Sequence, residues 1–397
     1  MQKVGTKEIL FIINSLTATA YAFILPIMSI YLINGIQANP DFIAYYSVSF
    51  AISGICFSQW FGRLSDSGVS DRLLFILSVT CIILSSLGFL FVTEPWQTLL
   101  IGIGFMGPGN ACIPLILSMI KRFSEQSGSD ITRVNSQMRS GVSIVWIFGP
   151  ALAFTVADFW GYQTNFTIAA TLGTLVVLLS VRFLPRFNLD VVGDEIANNR
   201  TTSDKIPRIA LQFGAIILLG NLANSIYITA MPLYLTNDLN IPTYFPGLLL
   251  GVTAAFEVPV MLKAASLCDK YSKIKIMLFG YVCAIAYYAL LHVTTSMAGL
   301  LFIQVFNGLF YGIFVGLGVT IIQEAFPKKG GFAAAYYSNM MRVGMMMGTS
   351  LVGFIAQYFS FQTALYASLL SIVSTIPLLV YSAKEKQPAL NNLTAEH

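Results

Sequence analysis

One carboxylate stands out by its company. Glu257 lies in an apolar run with no Lys or Arg within five positions on either side. A charge inside a bilayer costs roughly 2.5–3.5 kcal/mol by insertion scales unless water or a partner meets it. A carboxyl so placed can load a proton on one side of a membrane and release it on the other as its access to water alternates. Two arginines share a context: Met138-Arg139-Ser140-Gly141 recurs as Met341-Arg342-Val343-Gly344, 203 residues later. Two more carboxylates recur at that offset, Asp66 in Gly62-Arg63-Leu64-Ser65-Asp66 and Asp269 in Ser266-Leu267-Cys268-Asp269-Lys270. A third set is uncharged: the amides Asn110, Asn221, Asn224, Gln304 and Asn307 with the rings Trp146, Tyr227 and Tyr311. Amides donate and accept, and rings offer a flat apolar platform, which suits a neutral, hydroxyl-bearing ligand. Helical spacing joins them: Asn221, Asn224 and Tyr227 near i, i+3; Gln304, Asn307 and Tyr311 on one face; Trp146 seven residues after Arg139. Any single amide serves equally well to bond one helix to another.

The elements that position these residues follow from composition. Of 397 residues 56% are hydrophobic and 10% charged, and mean hydropathy is +0.74. A soluble domain carries about a quarter charged residues, so the bilayer is the solvent here. The net charge of +4 does not mark a nucleic-acid binder, because the basic residues form no long run. Five cysteines (Cys56, Cys81, Cys112, Cys268, Cys283) are odd in number and lack CxxC spacing, which supports neither a disulfide framework nor a zinc site. His292 and His397 have no ligand-like company, so no metal is expected, and no cofactor. Lys3 and Lys7 precede an apolar run without a small-residue cleavage site, which reads as an uncleaved first helix.

A crossing helix needs about 20 apolar residues. Cutting the chain at charge and Pro/Gly/Asn clusters yields spans over 9–34, 42–62, 72–92, 97–121, 135–157 and 162–184, then 208–235, 243–267, 274–294, 298–323, 332–358 and 361–382. The expected organisation is an all-α membrane protein of twelve transmembrane helices: a six-helix bundle over 1–184, a polar linker over 185–207, a second bundle over 208–384 and a tail over 385–397. Glu257 then sits about 21 Å into its span, at 1.5 Å per residue. Of 22 Lys and Arg residues, 20 fall at the termini or at every second connection, so both termini and the linker are expected to be cytoplasmic. The other two, Arg139 and Arg342, lie within helices. The spacing of Gly308, Gly312 and Gly316 predicts close helix packing, and Met345 to Met347 a pliable patch.

The 203-residue offset at two separate motifs predicts a duplication. Two parallel six-helix halves with Gly-x-Leu-x-Asp after the second span (Gly62, Leu64, Asp66), and Leu267 and Asp269 after the eighth, resemble the major facilitator superfamily. Longer strings, Asn135 to Arg139, Trp146-Ile147-Phe148-Gly149-Pro150, Met231 to Leu235, Thr253 to Pro259 and Gln304 to Gly308, are similar to the bacterial sugar efflux transporters. Gly149-Pro150 is also similar to the tail of an exporter motif in the fifth helix. The basic residue usual in the family's fourth helix is absent between Leu99 and Asn110.

The resemblance implies a monomeric exporter of lactose-type disaccharides, glucosides or their analogues, in exchange for protons, in a bacterial inner membrane. Its proton would ride on Glu257, and its sugar would meet the amide and aromatic set. The superfamily's helix arrangement implies a cytoplasmic gate in which Asp66 reaches toward Arg342 and Asp269 toward Arg139; snorkelling of both arginines to phosphates is the other use. A multidrug or amphiphile antiporter of the same fold is the alternative reading, and a non-transporting receptor or scaffold the one outside that class. The chain carries no GxxxxGK[ST], HExxH or GxSxG, and no enzymatic activity is expected.

Overall fold

The computed structural model describes residues 5–128, 131–184, 207–326 and 330–393, which form helices and short turns without a strand. The chain divides into two compact units, Met1–Asp204 and Lys205–His397. The division falls inside the expected linker, of which Pro207 alone is described.

In the first unit α1 is Thr6–Ala22, continued after a turn by Met28–Ile30 and a π-helical turn at Tyr31–Gly35. Then come α2 (Phe42–Asp66), α3 (Asp71–Phe89), and α4, built from Pro95–Ile101, a π-helical turn at Gly102–Met106, Gly107–Gly109 and Cys112–Ser127. The unit closes with α5 (Ile131–Trp160) and α6 (Tyr162–Phe183). The second unit holds α7 (Arg208–Leu233, then a π-helical turn at Tyr234–Asp238), α8 (Tyr244–Leu267), α9 (Lys273–Val293), α10 (Met297–Ala325), α11 (Gly330–Tyr358) and α12 (Phe361–Leu393). The last of these continues past the expected boundary at 384.

Ten helices among the described residues are long and apolar enough to cross a membrane. The two others each have a local reason. The longest continuous piece of α1 is 17 residues, because the chain turns between Phe23 and Ile27. The first half of α11 carries Tyr336, Tyr337, Ser338, Asn339 and Arg342. Starts and stops follow ordinary rules: Glu94 and Gln97 form a capping box around Pro95 at the head of α4, and the Ser296 hydroxyl accepts from Gly299 N at the head of α10.

Each unit packs α1 or α7 against the fifth and sixth helix of its own set. The first helix of each unit also ends the same way. Ile36 N bonds to Tyr31 O at 3.0 Å and Leu239 N to Tyr234 O at 3.2 Å. The next residues, Gln37 at φ +55° and Asn240 at φ +53°, are the two non-glycine residues with positive φ among those described. Single-turn π bulges of this kind are rare. Their recurrence at the 203-residue offset carries the duplication from sequence into backbone conformation.

Candidate functional site

The second unit contains a buried polar network spread over four helices. Gln304 on α10 is fully buried, and its Oε1 accepts from the Thr253 hydroxyl on α8 at 2.7 Å and from the Tyr227 hydroxyl on α7 at 3.3 Å. Its Nε2 donates to the Tyr287 hydroxyl on α9 at 3.1 Å. Asn307, one turn along α10, directs its Nδ2 to Thr253 Oγ1 and to Gln304 Oε1, each at 3.4 Å. Its Oδ1 and the Tyr288 hydroxyl are buried without a hydrogen-bond partner. A buried polar group left unmatched costs about 1–3 kcal/mol, so these two atoms are places where a hydroxyl or water would be bound favourably.

The helices come this close because α10 turns its glycines to α8. A Cβ on Gly308 would stand 2.5 Å from that of Phe256, and one on Gly312 would stand 2.7 Å from the main-chain oxygen of Glu257. The glycine ridge therefore packs helices, as its spacing indicates. Glu257 lies four residues after Thr253 and hence on the same side of α8, a turn from the network. It is half-buried, and no described cation pairs with it, the described ion pairs being Arg122 with Asp71 and Lys273 with Glu324. Tyr311 on α10 precedes Gly312, the residue packed against the Glu257 main chain.

The other candidates fall into different roles. Asn221 directs its Nδ2 to Met341 O at 2.6 Å, so its donor joins α7 to α11, while Asn224 is buried on α7. In the first unit the Asn110 amide lies against α2, its Nδ2 2.8 Å from where a Cβ of Gly54 would be. Trp146 is 39% exposed on α5. Asp269 is exposed in the turn after α8, and Arg342 is exposed on α11. Asp66 and Arg139 stand on α2 and α5 with their side chains outside the described residues. Among the described residues no group of His, Cys, Asp and Glu could hold a metal.

Sequence reasoning did not single out four partners. Thr253 and Tyr287 complete the Gln304 network; Thr253 could have been found from its i−4 position to Glu257. Asn14 on α1 donates from Nδ2 to Met138 O at 3.1 Å, the counterpart of the Asn221 bond to Met341 O. In both bonds the acceptor is the main-chain oxygen of the methionine in the repeated Met-Arg motif, so that motif also docks helices. Asp71 is 3% exposed, where it accepts from Ser118 at 2.9 Å and from the Ser65 hydroxyl, and pairs with Arg122 at 3.2 Å. Beside Arg72 in a short connection it gives no sequence signal of burial.

Residues 10–289 match the model of the Major Facilitator Superfamily, and residues 213–396 match it again. The chain belongs to the major facilitator superfamily. Among curated relatives it is 29% identical to "Sugar efflux transporter A" of Dickeya chrysanthemi over 359 residues, 90% of each chain. It is 27% identical to "Sugar efflux transporter A" of Escherichia coli (strain K12) over 353 residues, 89% of this chain and 90% of that one. These matches bear out the resemblance carried by Trp146 to Pro150 and Thr253 to Pro259. A crystal structure of the nucleoside transporter NupG shares the facilitator fold with a TM-score of 0.75, covering 96% of this chain and 100% of that one at 16% identity. The relatives are transporters, and this facilitator-superfamily protein is a transporter and not an enzyme.

Proposed function

We propose that this transporter exports small sugars or sugar-like compounds from the cytoplasm by alternating access, in exchange for protons across a bacterial inner membrane. The similarity to sugar efflux transporters over about nine-tenths of the chain carries the reading. The uncharged character of the second unit's buried set agrees with it. A sugar presents hydroxyls and an apolar ring face, and hydroxyls are matched by amides and other hydroxyls without a fixed charge. In this reading the exposed Trp146 stacks on the ring face, and Asn110, Asn224, Tyr227, Gln304, Asn307 and Tyr311 meet hydroxyls. Asn221 contributes through its Oδ1 and its second N–H, the first being held by Met341 O.

Glu257 carries the proton. Its half-buried carboxyl without a described cationic partner can change protonation when access to water changes, whereas a carboxylate locked in an ion pair cannot do so cheaply. The charges of Asp66, Arg139, Asp269 and Arg342 act as a cytoplasmic gate, in a monomer with both termini in the cytoplasm. Inverted membrane vesicles with an imposed proton gradient test the whole reading. Labelled lactose and a labelled glucoside should accumulate, and accumulation should collapse with a protonophore and in Glu257→Gln. Movement of dyes or drugs without movement of sugar would overturn it.

A further inference from the structure

The α3/α6 face of the first unit carries two arginines that the transport reading does not use. Arg72, in the first turn of α3, donates from Nη2 to the main-chain oxygen of Val181 in the last turn of α6. That bond places its guanidinium at the peptide group that joins Val181 to Arg182, and the Arg182 side chain is exposed and lies over the Phe183 ring, 5.1 Å from the centroid. Neither arginine pairs with a described carboxylate. Asp71, the neighbour of Arg72, is turned inward to Arg122, Ser118 and Ser65 and is nearly inaccessible. Next to the two cations the same helices expose Leu73 at 60% and Leu178 at 61%, with Leu77 and Leu175 a turn further on, also exposed. Two cations without a described counter-ion therefore cap an apolar strip at one end of two adjacent helices.

We propose that this face holds one anionic phospholipid, its phosphate shared by Arg72 and Arg182 and its acyl chains lying along Leu73, Leu77, Leu175 and Leu178. Guanidinium groups match phosphate oxygens with paired donors, and basic pockets between transmembrane helices take anionic head groups. The leucine strip selects a lipid over a free anion, which would use the arginines alone. The second unit lacks the arrangement among its described residues: Lys275 stands 203 residues after Arg72, its neighbour Lys273 is paired with Glu324, and Arg208 lies over the Tyr381 ring at 6.0 Å.

Native mass spectrometry of the full-length transporter, mixed in neutral detergent with phosphatidylglycerol or with phosphatidylcholine of the same chains, tests this. One phosphatidylglycerol should be retained in preference to phosphatidylcholine. With each cation near a membrane surface counting for about a fivefold change in affinity, Arg182→Gln should weaken retention about fivefold and the double variant Arg72→Gln/Arg182→Gln about thirtyfold. Arg208→Gln should leave it unchanged. The Arg182→Gln variant keeps the test decisive even if loss of the Arg72 bond disturbs folding, because its exposed side chain can be removed without touching the helix contact. Equal retention of the two lipids, or unchanged retention in Arg182→Gln, would overturn the site. Displacement of the lipid by millimolar inorganic phosphate would make it a free-anion site instead and overturn the lipid assignment.

Discussion

In the first unit Gly54 of α2 faces the Asn110 amide of α4, while 203 residues after Gly54 the second unit has Glu257 of α8, whose main-chain oxygen faces Gly312 of α10. The surrounding frame is shared. Both units end their first helix in a π turn with a left-handed residue behind it, and both tie that helix to the Met-Arg motif through an asparagine. The contact between second and fourth helices is close in each: Ser53 crowds Gly107 in one and Phe256 crowds Gly308 in the other. Duplication thus preserved the backbone approach of helices, and divergence placed a titratable carboxyl in one copy only. A second difference lies at the ends of the third and fourth helices. Asp71 of α3 pairs with Arg122 of α4, whereas Lys273 of α9 pairs with Glu324 of α10, nearly the same position with the charges exchanged. The first pair is buried at its carboxylate and the second is exposed at its carboxylate, with side-chain exposures of 2% for Asp71 and 44% for Glu324.

The largest expected effect tests the asymmetry at the centre. Glu257→Gln should bring proton-driven accumulation down to the level found without a gradient, while Asn110→Ala, which removes the amide facing Gly54 at the position equivalent to Glu257, should lower transport without uncoupling it from protons. An uncoupled Asn110→Ala would break the distinction between the units. Next come the ion pairs. Asp71→Asn leaves the partly buried Arg122 without its charge partner and should cost about 3 kcal/mol in unfolding free energy. Glu324→Gln should cost at most about 0.5 kcal/mol, because an exposed pair gains little in water. Equal losses, read as shifts in denaturant midpoint, would show that the exchange of charges is neutral to burial.

A smaller effect tests the helix contact. Gly312→Ala, which places a Cβ 2.7 Å from Glu257 O, should destabilise by about 2 kcal/mol through overpacking, against no change for Gly104→Ala, which has nothing within 4 Å. The smallest effect sharpens the equivalence itself. Asn14→Leu and Asn221→Leu should each cost about 0.6–1 kcal/mol, the usual worth of one hydrogen bond between membrane helices. A loss in only one of them would mean that the two bonds are alike in geometry and unlike in energetic weight.

The sites were legible to different degrees. Glu257 could be read from sequence because an ionisable residue in an apolar run is conspicuous wherever its helix turns. The amides could be named but not sorted. Tyr227, Gln304 and Asn307 converge on one network, Asn221 is bound to Met341 O, and Asn110 lies against Gly54, although all five look alike as polar residues within spans. Thr253 and Asp71 were silent for opposite reasons. A threonine in a membrane helix is common and usually bonds its own preceding turn, as Thr253 does to Leu249 O. An aspartate between spans is ordinarily solvated.

The lipid environment, the helical spans and the duplication were determined by sequence alone, since hydropathy, charge placement and a repeated offset are properties of the chain read in order. The tertiary structure decided which polar groups meet. Whether an amide bonds a neighbouring helix, joins a network or stays accessible depends on the rotation and depth of two helices relative to each other, and these are set by side chains and glycines on the far side of the contact. The same holds for the charges: Asp71 and Glu324 differ little as residues, and their burial follows from how closely the helices around them pack.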